Sequence, residues 1–144
     1  MIVIFLDFDG VLHRRPRPHE VARHYARLFE YLEPVAAVLE AFPAARIVVS
    51  SSWRLSYSAD ELRAFLGPLG PRMEGVTGPE RETRYQEILE AAGDATWLAI
   101  DDDDRGWPED ERRSLVLCNQ WLALGEPGRL EELVTKLRAI EEAS

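Results

Sequence analysis

The sequence predicts an α/β fold, a three-layer α/β/α Rossmann-like sandwich on a parallel central sheet, with residues 1–144 as a single domain. Three observations predict it. Short β-rich apolar runs alternate with segments of helical periodicity, as strands do when crossover helices cover both faces of a sheet. Three of those runs end in acidic or hydroxyl clusters: Asp7-Phe8-Asp9-Gly10, Ser50-Ser51-Ser52 and Asp101 to Asp104. The length of 144 residues suits one domain with its own hydrophobic core.

Ile2-Val3-Ile4-Phe5-Leu6 is continuously apolar and too short for a helix, so it reads as a fully buried strand. Residues 13–20, with Pro16 and Pro18, read as a loop. Tyr31, Leu32, Val35, Val38, Leu39 and Phe42 recur at helical spacing, which predicts a helix ending near Pro43. Ile47-Val48-Val49 is a second buried strand. Ser58 or Asp60 can cap a short helix carrying Leu62, Phe65 and Leu66, stopped by Gly67-Pro68. Arg72 to Val76 is a candidate short strand. Glu80 to Ala92 reads as a helix closed by Gly93, with Tyr85, Ile88, Leu89 and Ala92 inward. Thr96 to Ile100 and Leu115 to Cys118 are further strands. Arg129 to Glu142 is an amphipathic helix with Leu130, Leu133, Val134, Leu137 and Ile140 on one face.

Composition narrows the function. The single cysteine, Cys118, excludes an internal disulfide and a cysteine-based zinc cluster. The apolar start is too short for a signal peptide, and no run approaches the roughly 20 apolar residues of a membrane span. A cytoplasmic location, away from any membrane, is the expectation. The net charge of -9 argues against broad nonspecific nucleic-acid binding. Yet residues 13–27 gather five arginines and all three histidines against one glutamate. That segment is either a solvated face or a basic lip that attracts a phosphorylated substrate. Lys136 is the only lysine beside 16 arginines, so any essential cation near the site is expected to be an arginine.

Parallel strands bring their carboxyl ends to one edge of the sheet, where ligands bind near the reversal of strand order. In an extended chain Asp7 and Asp9, two apart, point to the same side. Gly10 lets the backbone turn sharply beside a ligand. Carboxylates so close repel unless a cation joins them, and magnesium is the usual hard cation beside phosphate. Asp101 to Asp104 supply further carboxylates. Ser50, Ser51 and Ser52 offer hydroxyls and N–H groups suited to phosphate oxygens, and Arg54 can pair with an anion.

Asp7-Phe8-Asp9-Gly10-Val11-Leu12, after its hydrophobic strand, resembles motif I of the haloacid dehalogenase (HAD) superfamily. Ile47 to Ser51 resembles motif II, and Trp97 to Asp102 resembles motif IV, in the family's order. The resemblance implies a magnesium-dependent phosphomonoester hydrolase. Asp7 would be the nucleophile that becomes an aspartyl-phosphate, and Asp9 the acid and base. Asp7, the Asp9 backbone carbonyl and Asp102, with Asp101 beside it, would hold Mg2+. Ser51, in preference to Ser50, would bind phosphate. The family's motif III lysine has no counterpart here, and Arg84, or else Arg81, would replace it. Gly10, Arg14, Ser50, Ser52 and Arg54 are the further substrate-binding candidates.

The stretches after the first two strands are too short for a separate cap domain. An open site suits a large phosphorylated substrate, such as a phosphoprotein or a nucleic-acid end. The Asp-Gly-Val-Leu-His start and the Ser-Ser-Ser-Trp-Arg run resemble the small HAD domains of RNA-repair proteins. A phosphotransferase, or a non-catalytic module binding metal and a phosphorylated ligand, are the competing readings.

Overall fold

All five residues of Ile2–Leu6 are buried, as a strand covered on both faces must be. They form β1, the middle strand of a five-stranded parallel sheet in the computed structural model, which describes residues 1–21 and 27–143. The other strands are β2 (Arg46–Val49), β3 (Met73–Val76), β4 (Thr96–Asp101) and β5 (Leu115–Leu117), in the order β3-β2-β1-β4-β5. The chain therefore steps outward from β1 to β3, then returns to the far side of β1. The order reverses between β1 and β4, where α/β sheets open a crevice at the strand tips.

Alternating residues of β1 feed two cores. Ile2, Ile4 and Leu6 join Val35 and Leu39 of helix α1 (Leu32–Leu39), Leu62 of α2 (Ala59–Phe65), and Leu133 and Leu137 of α4 (Arg129–Ala143). Val3 and Phe5 face the other way, onto Ile88 and Ala92 of α3 (Arg84–Ala92) and onto Trp107. Helices thus cover both faces, giving the three layers expected.

Two helices differ from their predicted limits. α1 stops at Leu39, short of Pro43, although Phe42 stays buried. Arg72 donates to the carbonyls of Leu39, Phe42 and Ala45, satisfying acceptors that the helix end leaves free. α3 starts at Arg84 and not at Glu80, because Thr83 and Gln86 form a capping box. On this helix Leu89, expected inward, is 43% exposed, whereas Glu87 is only 6% exposed. Ser58 caps α2 through a second capping box with Glu61. Among the described residues no helix is long and apolar enough to cross a membrane.

Candidate active site

The ladder carries the strand tips to one level. Asp7 N–H donates to the carbonyl of Ile100, and Ser50 N–H to that of Leu6. Asp7 after β1 thus stands beside Asp101 at the end of β4. One carboxylate oxygen from each of Asp7, Asp101 and Asp102 lies within 4.8 Å of the others. Asp7 Oδ1 accepts from Phe8 N–H at 2.8 Å, while Asp7 Oδ2 is buried with no hydrogen-bond partner among the described residues. Burial, opposed by Arg84 and reinforced by the charge of Asp102, pushes the Asp7 carboxyl up from 3.8 to about 6. Burial and the charge of Asp7 raise Asp101 well above the usual carboxylate range. Crowded, desolvated oxygens with one lone acceptor fit a hard divalent cation. Gly10 shapes the same spot. It sits at φ +77, and a Cβ there would overlap the Asp102 carboxylate.

Asp9 is oriented differently from Asp7. The chain turns tightly after Phe8, whose carbonyl accepts from both Val11 and Leu12 N–H, and Gly10 N–H bonds the carbonyl of His13. This turn brings His13 Nε2 to 2.8 Å from Asp9 Oδ1, and Trp53 Nε1 donates to Asp9 Oδ2 at 3.0 Å. The Asp9 carboxylate therefore lies outside the three-acid group. Burial alone would raise its pKa, but the hydrogen bonds from His13 and Trp53 prevail and lower it. His13 is fully buried, and its Nδ1 accepts from Phe29 N–H at 3.2 Å. With Nδ1 accepting, Nε2 is left to donate its N–H to Asp9 Oδ1. Phe29 itself takes a left-handed φ of 58 and packs edge-on against Phe8, His13 and Trp53. In the sequence His13 stands only as part of the basic segment and of the Asp-Gly-Val-Leu-His run, with no role of its own. Its spacing of four from Asp9 was the available signal.

Arg84 lies at the site and Arg81 does not. Arg84 Nη1 is 3.2 Å from Asp101 Oδ2 and 3.5 Å from Asp7 Oδ1. Arg81 pairs with Glu90 on the outer surface of α3. Glu87, one turn beyond Arg84, fixes the arginine in place. A guanidinium is a planar fork that needs more than one acceptor to fix its orientation. Glu87 Oε1 is 3.5 Å from Arg84 Nε and 3.2 Å from Arg54 Nη2. Arg54 also donates to the carbonyls of Ser51 and Gly78. Arg54, expected on a substrate anion, is thus a buried strut between the tips of β2 and β3 and helix α3.

Ser50 and Ser51 are both buried, and Ser52 is exposed. Ser51 Oγ accepts from Trp53 N–H at 3.2 Å, whereas Ser50 Oγ has no hydrogen-bond partner among the described residues. In the basic segment Arg14 pairs with Glu30 at 2.7 Å, and Arg17 and Arg27 both approach Glu20. Glu20 within the segment and Glu30 just beyond it therefore neutralise part of the lip. Residues 22–26 of that segment, including Arg23 and His24, lie outside the described residues. Arg15, not singled out in the sequence, reaches the site instead: its Nε is 2.6 Å from Asp102 Oδ2, and its side chain is 40% exposed.

A parallel sheet with acids at its two central strand tips, and a cation on the following helix, defines a HAD-type domain, whose members are generally hydrolases of the phosphatase type. A family model described as the HAD domain in Swiss Army Knife RNA repair proteins matches residues 3–127, and the chain belongs to that family. No curated protein and no solved structure matches the chain.

Proposed function

We propose that this chain is a magnesium-dependent phosphomonoester hydrolase that removes phosphate from nucleic-acid ends through an aspartyl-phosphate on Asp7. The observation that carries the proposal is the buried, unpartnered Oδ2 of Asp7, set among Asp101, Asp102 and Arg84. A carboxylate oxygen stripped of hydrogen bonds is a competent nucleophile once its charge is held by neighbours. The family description supplies the nucleic-acid context.

Asp7, Asp101 and Asp102 would hold the ion, with the Asp9 backbone carbonyl as a further ligand. Bound there, Mg2+ supplies positive charge to offset that of the transferring phosphoryl group. Asp7 attacks phosphorus, and the bond from phosphorus to the ester oxygen breaks. The leaving oxygen takes a proton from Asp9. Asp9 then removes a proton from a water molecule, which attacks the aspartyl-phosphate and frees inorganic phosphate and Asp7. The donors on both Asp9 oxygens favour its charged form, which sets it up as the base; the acid half requires one of these bonds to yield. Arg84 faces the phosphoryl oxygens. Ser51, with its oxygen fixed by Trp53 N–H, keeps its hydroxyl proton for the phosphate.

The test is release of inorganic phosphate from an RNA oligonucleotide phosphorylated at its 5′ or its 3′ end, with Mg2+ present. Phosphate release with strand length unchanged is the expected result. Hydrolysis of a simple aryl phosphate without attack on either end would remove the nucleic-acid substrate. Failure on every ester would remove the enzyme.

Glu87→Gln provides a separate check on Arg84. Losing a buried charge partner costs about 3 kcal/mol, read by denaturant unfolding. The remaining activity should show a lower kcat with little change in KM, because Arg84 loses its orientation while the rim is untouched. A variant with wild-type kcat would show that Glu87 does not position Arg84.

A further inference from the structure

We infer that Trp121 forms the floor of a nucleobase subsite next to the three-acid group; the inference rests on the nucleic-acid reading above and names the part of the substrate bound there. A cavity of about 240 Å3 runs from Asp102 to Trp121 and is also lined by Asp104, Asn119 and Gln120. Asp102 belongs to both the acidic group and the cavity wall, so the cavity adjoins that group across this residue.

The chemistry of the walls selects the occupant. Asp102 and Asp104 pair with Arg15 and Arg112, but no cationic side chain among the described residues lines the cavity itself, so it suits an uncharged part of the substrate better than a second phosphate. Trp121 offers an aromatic face, the recurring platform for bases of single-stranded nucleic acid. The Arg17 guanidinium lies 4.8 Å from the centroid of the Trp121 ring and stiffens that platform. Asn119 and Gln120 bring side-chain amides to the cavity wall, and the acids accept from amino groups or ribose hydroxyls.

The platform is anchored to the motif that carries Asp7. Arg15 N–H donates to the carbonyl of Gln120 at 2.9 Å, and Leu124 N–H to that of Val11 at 3.1 Å. Asn119 Oδ1 accepts from Trp121 N–H at 2.8 Å, and Asn119 and Ala123 form an antiparallel bridge across the turn. The segment from 119 to 124 is therefore fixed relative to the reacting carboxylates at both of its ends. A base seated on Trp121 sets where its own phosphate arrives.

Adenosine 5′-monophosphate and ribose 5-phosphate carry the same phosphate and differ in the base. Their binding to the Asp7→Asn protein with Mg2+, measured by calorimetry, isolates the base. The nucleotide should bind more tightly by roughly 5- to 150-fold, the range of one base stacked on an aromatic ring. Adding Trp121→Ala should remove that difference, and Trp121→Phe should keep most of it, with thermal melts confirming that each variant folds. Equal binding of the two ligands to the Asp7→Asn protein would overturn the subsite. So would a Trp121→Ala loss that is the same for both. Turnover plays no part in this measurement. A protein that hydrolyses no ester yet separates the two ligands keeps the subsite and loses the hydrolase reading.

Discussion

Asp7→Asn is expected to abolish phosphate release, by roughly a thousandfold or more, and at the same time to make the metal-free protein more stable at neutral pH. The two effects share one cause. The folded protein holds the Asp7 carboxyl at about 6, against an ordinary 3.8, chiefly through burial. The folded state therefore binds this proton more tightly than the unfolded chain does. Stability falls as pH rises from about 4 to about 6, and the cost is fully present above that window. Asparagine keeps the shape and the acceptor for Phe8 N–H but carries no charge. At pH 7.5 in chelator its advantage is roughly 1–3 kcal/mol, and it should vanish near pH 4. Thermal melts of both proteins at the two pH values read this directly. A variant less stable than wild type at pH 7.5, or retaining activity, would contradict the assignment.

Chelation is the second large effect. Activity should drop to background and return with excess Mg2+. The ion should also stabilise the fold, because binding to the native state alone adds about 2.7 kcal/mol at a hundredfold excess over Kd. For a chain of this size that is a melting-point rise of roughly 5–10 °C. The rise should be larger at pH 7.5 than at pH 5, since protons compete for Asp7 and Asp101, both raised by burial. Activity that survives chelation, or a melting point indifferent to Mg2+, would remove the ion from the mechanism. Asp102→Asn should reproduce the chelated state at either pH.

The strands were legible because a parallel sheet leaves an unambiguous mark: Ile2–Leu6, Ile47-Val48-Val49 and Thr96 to Ile100 are apolar without interruption and end in polar clusters. Ser58 was readable as a cap for the same local reason. What escaped was set by partners distant in sequence. Glu87 is buried on α3 because Arg54, 33 residues earlier, meets it there. A count of apolar spacing turned Leu89 inward instead. Arg14 and Arg15 are indistinguishable on a loop with no periodicity, and Asp102, 87 residues away, decides which one faces the carboxylates. Equal spacing also made Asp7 and Asp9 look like two ligands on one side. The positive φ at Gly10 and the turn back to His13 give them separate surroundings. The absence of a lysine at the expected motif III place is visible in the sequence, but the acid that holds Arg84 in position is not.

The lock on His13 has a consequence for proton traffic. Phe29 N–H closes the far nitrogen of the imidazole, and Trp53 can only donate. Both Asp9 oxygens are thus held from the protein side, while 26% of the side chain stays open to solvent. For the acid and base role proposed above, that open face is where the carboxyl would exchange its hydrogen ions with water and ester.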